Sequence, residues 1–210
     1  MIAPAELATE LDIGHGHAAA QRRLAARSVA VVGFMGVGKT SVGRELARLL
    51  HRPFVDTDHE VESRAGRTVP ELFAESEPAF RAVERECVLA ALDQPPCVIA
   101  LGGGAFSQPG AAEILLDRAL VVHLYASWDA LLSQLPALAA DRPLIGGRAP
   151  WEVQELFLAR AASYRRAHVR VSLRRQGSAE AAATVAAVLA AHRPQVANGC
   201  RVHENAELDE

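Results

Sequence analysis

Residues 33–40 read Gly-Phe-Met-Gly-Val-Gly-Lys-Thr, and no other stretch constrains the fold of this chain as strongly. The run fits GxxxxGK followed by Ser or Thr. It follows an apolar, β-branched segment, Ser28 to Val32, and it opens a helical pattern from Thr40 to Leu50 with Val42, Leu46, Leu49 and Leu50 on one face. Strand, glycine turn and helix in that order make a phosphate cradle. The glycines let the backbone curl so that N–H groups of Gly36, Val37, Gly38, Lys39, Thr40 and Ser41 face phosphate oxygens, and the helix N-terminus adds partial positive charge. Lys39 neutralises β- and γ-phosphate charge, and the Thr40 hydroxyl can hold Mg²⁺. Lys39 is also the only lysine in a chain whose lysines and arginines number 22, so a compact ammonium stands at the one place where phosphate chemistry favours it.

The rest of the chain supplies an α/β frame for this loop. Pro53 to Asp56, Cys97 to Leu101, Leu120 to Leu124 and Val169 to Leu173 read as further strands, each separated from the next by helical pattern, which implies a five-stranded parallel sheet flanked by helices. A composition of 210 residues, 50% hydrophobic but only 5% aromatic, fits one such domain and disfavours a β-sandwich or barrel. The domain is expected over 28–193, with an extension at 1–27 and a polar tail at 194–210. A formal charge of −3 gives no basic footprint for nucleic acid. Cys87, Cys97 and Cys200 are too few and too scattered for a disulfide framework or a zinc site. No apolar run reaches the roughly 18 residues needed to cross a bilayer, and Glu6, Glu10 and Asp12 stand where a signal peptide would be basic and then apolar, so a soluble, cytoplasmic protein is expected. A monomer is expected as well.

Charged residues beyond the loop suggest a second ligand. Asp56-Thr57-Asp58 ends the second strand, so one carboxylate can face Mg²⁺ and the other a substrate hydroxyl, although either aspartate could simply cap a helix. Arg81 and Glu84 lie one helical turn apart in Phe80-Arg81-Ala82-Val83-Glu84, as an oriented guanidinium or as a surface ion pair. Gly102, Gly103 and Gly104 follow the third strand and let a ligand approach bare backbone. Arg142 lies in a segment of about 137–150 with the length of a lid. Arg160 falls among Leu156, Phe157 and Tyr164 on one helix, where a buried guanidinium requires an anionic partner that a ligand could supply.

Taken in order, GFMGVGKT, DTD, FRAVE, GGGA, RPL and RAASY resemble shikimate kinase over about 28–175. The resemblance implies a nucleoside-monophosphate-kinase-like P-loop domain, with a substrate-binding segment near 57–93 and a mobile lid. It also implies transfer of the ATP γ-phosphoryl group to the 3-hydroxyl of shikimate. Carried over to this chain, Thr40 and Asp56 attend Mg²⁺, Asp58 binds the ring hydroxyls and helps deprotonate the nucleophile, and Arg81 and Arg160 hold the shikimate carboxylate. Gly102, Gly103 and Gly104 contact the substrate, Arg142 joins Lys39 on the nucleotide, and Val69, Phe73 and Phe80 wall the pocket. The chain departs from the family where an arginine commonly stacks on adenine: Ser133 or Gln134 stands there, and a second position near Arg174, Arg175 or Gln176 is not assignable. Two other readings use the same loop, a kinase for another polyhydroxylated acid such as gluconate and a non-catalytic ligand sensor.

Overall fold

The structure, a computed structural model, describes residues 26–135, 145, 147–173 and 177–192. Five strands form one parallel sheet: β1 (Ser28–Val32), β2 (Phe54–Asp56), β3 (Val98–Ala100), β4 (Ala119–Tyr125) and β5 (Val169–Ser172), in the spatial order β2-β3-β1-β4-β5. β1 is central and buried along its whole length, which is why Ser-Val-Ala-Val-Val is a continuous small and β-branched run rather than an alternating one. Its register sets Val29 beside Val98 and Leu120, so β3 and β4 flank it on opposite sides. The chain therefore reverses its direction of winding at the carboxyl end of β1, where ligands bind in sheets of this kind.

Eight helices are described: α1 (Lys39–Leu49), α2 (Thr57–Ala65), α3 (Val69–Glu75), α4 (Glu77–Leu92), α5 (Ala111–Arg118), α6 (Trp128–Leu132), α7 (Pro150–Tyr164) and α8 (Ser178–Ala191). A 3-10 turn, Ala105–Ser107, follows β3. α1 buries Val42, Gly43, Leu46 and Ala47. Leu49, expected on that face, is instead 40% exposed, whereas Leu50, expected beside it, packs partly buried against the core. α2, α3 and α4 carry their own small core of Val61, Leu72, Phe80 and Cys87, distinct from the core around the sheet. Local signals start these helices: Asp56 caps α2, Thr68 and Glu71 form a capping box on α3, and Ser76 caps α4 with proline in its first turn. Most of the expected lid, the residues 1–25 of the extension, the tail from 193 onward, and Arg142, Arg174, Arg175 and Gln176 lie outside the described residues.

Candidate active site

The loop between β1 and α1 takes the form its glycines permit. Gly38 adopts φ 87° as the N-cap of α1, a left-handed conformation that costs a residue with a Cβ. Gly33 is needed for space as well as for its φ of 150°, since a Cβ there would lie 2.4 Å from the Leu124 carbonyl oxygen of β4. Lys39 Nζ donates to the Phe34 carbonyl at 3.0 Å, which folds the ammonium back over the loop. The Thr40 hydroxyl donates to Asp56 Oδ2 at 2.7 Å, while Asp56 Oδ1 accepts the Asp58 amide at 3.1 Å. One Asp56 oxygen thus caps α2 while the other reaches the first turn of α1.

The three glycines after β3 form the floor of a second cluster. A Cβ on Gly102 would lie 2.5 Å from Glu84 Oε1 and 2.6 Å from Asp58 Oδ1; one on Gly104 would lie 2.8 Å from Arg81 Nη2 and 3.1 Å from Arg160 Nη2. Two carboxylates therefore converge at one end of the turn and two guanidiniums at the other. The Gly102 amide donates to the Thr57 hydroxyl at 2.9 Å, and the Gly103 carbonyl accepts from Arg160 Nη1 at 2.9 Å and from the Tyr164 hydroxyl at 2.6 Å. Val69, Phe73 and Phe80, expected as walls, line the cavity beside these groups, together with Met35 of the loop. The Arg81 guanidinium lies over both the Phe73 and Phe80 rings, at 5.5 and 4.9 Å from their centroids.

Burial overturns the surface reading of the Arg81–Glu84 pair. The two side chains meet at 2.7 Å with only 13% and 3% of their surface exposed, and Glu77 closes on Arg81 from the outer side at 3.2 Å. α4 turns this face inward against the 3-10 turn, which periodicity within α4 could not reveal. Burial pushes the Glu84 carboxyl above the usual carboxylate range, against the pull of Arg81, and the nearby Asp58 adds to the rise. Arg160 is buried as expected, and desolvation draws its pKa down. On α7 the buried residues are Val153, Arg160 and Tyr164, whereas Leu156 and Phe157 are only half-buried. Tyr164, one turn beyond Arg160, has its hydroxyl pushed up to about 12 by burial, so it remains a hydrogen-bond donor to Gly103. Glu84, Thr57 and Tyr164 are the polar groups of the site that the sequence reading did not place there. The spacing of Tyr164 from Arg160 was the available signal, since residues four apart share a helix face.

Ser133 and Gln134 both turn back on the end of α6, donating to the Ala130 carbonyl at 2.9 and 3.3 Å. Among the described residues no group of three or more His, Cys, Asp or Glu side chains is placed to hold a metal, and no helix is long and apolar enough to cross a membrane.

A phosphate loop at the winding reversal of a parallel sheet, facing a small cavity with cations at one end and carboxylates at the other, defines a P-loop phosphotransferase for small molecules. The family model described as shikimate kinase matches residues 35–190. A shikimate kinase from Caulobacter vibrioides is 45% identical over 150 residues, 70% of this chain and 74% of that protein, and one from Thermus thermophilus is 42% identical over 146 residues, 69% and 79% of the two. Among solved structures, shikimate kinase from Acinetobacter baumannii in complex with shikimate superposes with a TM-score of 0.76 at 31% identity, covering 84% of this chain and 99% of that one. The chain belongs to the shikimate kinase family, whose members are ATP-dependent kinases.

Proposed function

We propose that this chain, acting as a monomer, transfers the γ-phosphoryl group of ATP to the 3-hydroxyl of shikimate with Mg²⁺ as cofactor. The observation that carries this reading is the polarity of the glycine turn, with Arg81 and Arg160 converging on Gly104 while Asp58 and Glu84 converge on Gly102. Shikimate is a small ring with a carboxylate on one side and hydroxyls on the other. Such a turn orients it in one sense, carboxylate toward the arginines and hydroxyls toward Asp58.

Phosphoryl transfer demands positioning and charge neutralisation more than covalent chemistry. The amides of Gly36, Val37, Gly38, Lys39, Thr40 and Ser41 cradle the phosphates, and Lys39 neutralises charge on them. Asp58 holds the reacting hydroxyl and accepts its proton, and the family resemblance assigns Arg142 to the nucleotide. The Thr40 hydroxyl and the Asp56 carboxylate, already 2.7 Å apart, are hard oxygen donors of the kind Mg²⁺ takes and would hold it, Asp56 through water. When bound, the ion neutralises phosphate charge. Gly102, Gly103 and Gly104 offer backbone to the ring, and the amide of Gly102 is fixed by Thr57.

The deciding experiment follows ADP release by the purified chain with shikimate, quinate, gluconate or no acceptor. Turnover is expected with shikimate alone, and Lys39→Ala is expected to lower kcat by orders of magnitude while leaving the circular dichroism spectrum unchanged. Equal turnover without acceptor, or a preference for gluconate, would overturn the assignment.

A further inference from the structure

A second cavity, of about 280 Å³, lies between α4, the 3-10 turn and the start of α5, and it shares only Arg81 and Glu84 with the candidate active site. Its body is apolar, built from Pro78, Val88, Leu89, Pro109, Ile114 and Leu115. Roughly 150 Å³ of apolar cavity accepts a benzene ring, so this one has room for a ring and a short chain. None of its walls comes from the phosphate loop, which sets it apart from the nucleotide.

The cavity wall holds two guanidiniums, Arg81 and Arg85, one carboxylate, Glu84, and the Gln108 amide. Arg85 is exposed at its rim and, among the described residues, forms no ion pair; its Nη1 lies 3.9 Å from where a Cβ on Gly110 would stand. Gly110 caps the eight-residue α5 without a side chain, but the Ala111 amide already donates to the Gln108 carbonyl at 3.1 Å and Glu113 of the first turn pairs with Arg166, so the helix end itself is not the anion site. Gln108 adds amide N–H groups, of which one donates to the Gly104 carbonyl at 3.4 Å. The one carboxylate in the wall, Glu84, is already paired with Arg81. An organic cation would meet two guanidiniums here, and a phosphate dianion would lose its hydration against aliphatic walls. We infer that this cavity is a binding site for a small monocarboxylate with an apolar body, its carboxylate at Arg85 and the Gln108 side-chain amide and its body between Leu89 and Ile114. Through Arg81 and Gln108 such a ligand lies directly behind the glycine turn.

The test uses 3-phenylpropanoate as probe, titrated into the full chain by calorimetry with and without saturating shikimate, with no turnover required. Saturable binding is expected in both conditions. Arg85→Gln, at an exposed position, should weaken it roughly three- to tenfold, as should replacing the acid with 3-phenylpropanamide, and Ile114→Trp should abolish it by filling the cavity. Neither variant should alter turnover. Absence of saturable binding, equal binding of the amide, or binding that shikimate displaces and Ile114→Trp leaves intact would overturn the inference, the last because the acid would then be occupying the arginines of the active site.

Discussion

Arg81 and Arg160 differ in how the protein prepares each of them. Arg81 arrives with its charge already answered by Glu84 and Glu77, while Arg160 is held by a carbonyl and an aromatic neighbour, with no carboxylate bonded to it among the described residues. A buried guanidinium lacking an anion is costly, so substrate carboxylate relieves Arg160 more than Arg81. Arg81→Ala and Arg160→Ala are each expected to weaken shikimate binding by about 1.5–3 kcal/mol, Arg160→Ala the more. Shikimate methyl ester should bind the wild type poorly and lose little more in either variant, because the charged contact is already absent. Isothermal titration of acid and ester against the three proteins checks this; full additive losses for the ester would show that the arginines serve another purpose.

Among the elements, the three-glycine turn has the most sharply graded demands. Side chains at Gly102 or Gly104 would run into atoms of Glu84 and Asp58 or of Arg81, all within 2.8 Å, whereas one at Gly103 would meet nothing nearer than 3.6 Å. The colliding atoms are the ends of functional side chains, so the molecule yields by displacing them rather than by unfolding. Gly102→Ala and Gly104→Ala are therefore expected to lower kcat/KM for shikimate at least tenfold with the denaturation midpoint little changed, and Gly103→Ala to retain most activity. A steady-state alanine scan with paired urea melts reads both quantities. Uniform loss at all three positions would point to backbone conformation as the requirement.

For the whole molecule, the buried histidine of β4 links folding to pH. His123 is 6% exposed and stacks on Tyr164 with centroids 4.9 Å apart; among the described residues its Nδ1 has no hydrogen-bond partner. Burial, aided by the charge of Arg170, lowers its pKa from 6.5 to about 4. Between those values the unfolded chain takes up a proton that the folded one refuses, so this group lowers stability as pH falls from about 6.5 toward 4, by no more than about 1.4 kcal/mol per pH unit. The raised carboxyl of Glu84 acts in the opposite sense, its contribution being lost as pH rises through its folded pKa, and His168, lowered by burial and by Arg27 and His192, acts in the same sense as His123. The difference between wild type and His123→Phe isolates the one group: the wild type should lose urea resistance more steeply over pH 6.5–4.5 than the variant. Identical slopes would remove His123 from the balance.

Local sequence was sufficient for the parts of this protein that local physics governs. The apolar run of β1, the glycines that follow it and the amphipathic helix after them specify strand, loop and helix through steric freedom and period alone, and Asp56-Thr57-Asp58 marks its own helix start. Five such strands separated by helices imply parallel pairing, because a parallel crossover needs that much chain. Tertiary packing decided the rest. That Glu84 is buried against Arg81, that Tyr164 and Arg160 share the Gly103 carbonyl, and that Leu49 stays in solvent depend on which face of a helix meets which neighbour. Periodicity identifies a face but not its partner, and burial, with the pKa shifts it causes, is a property of the partner.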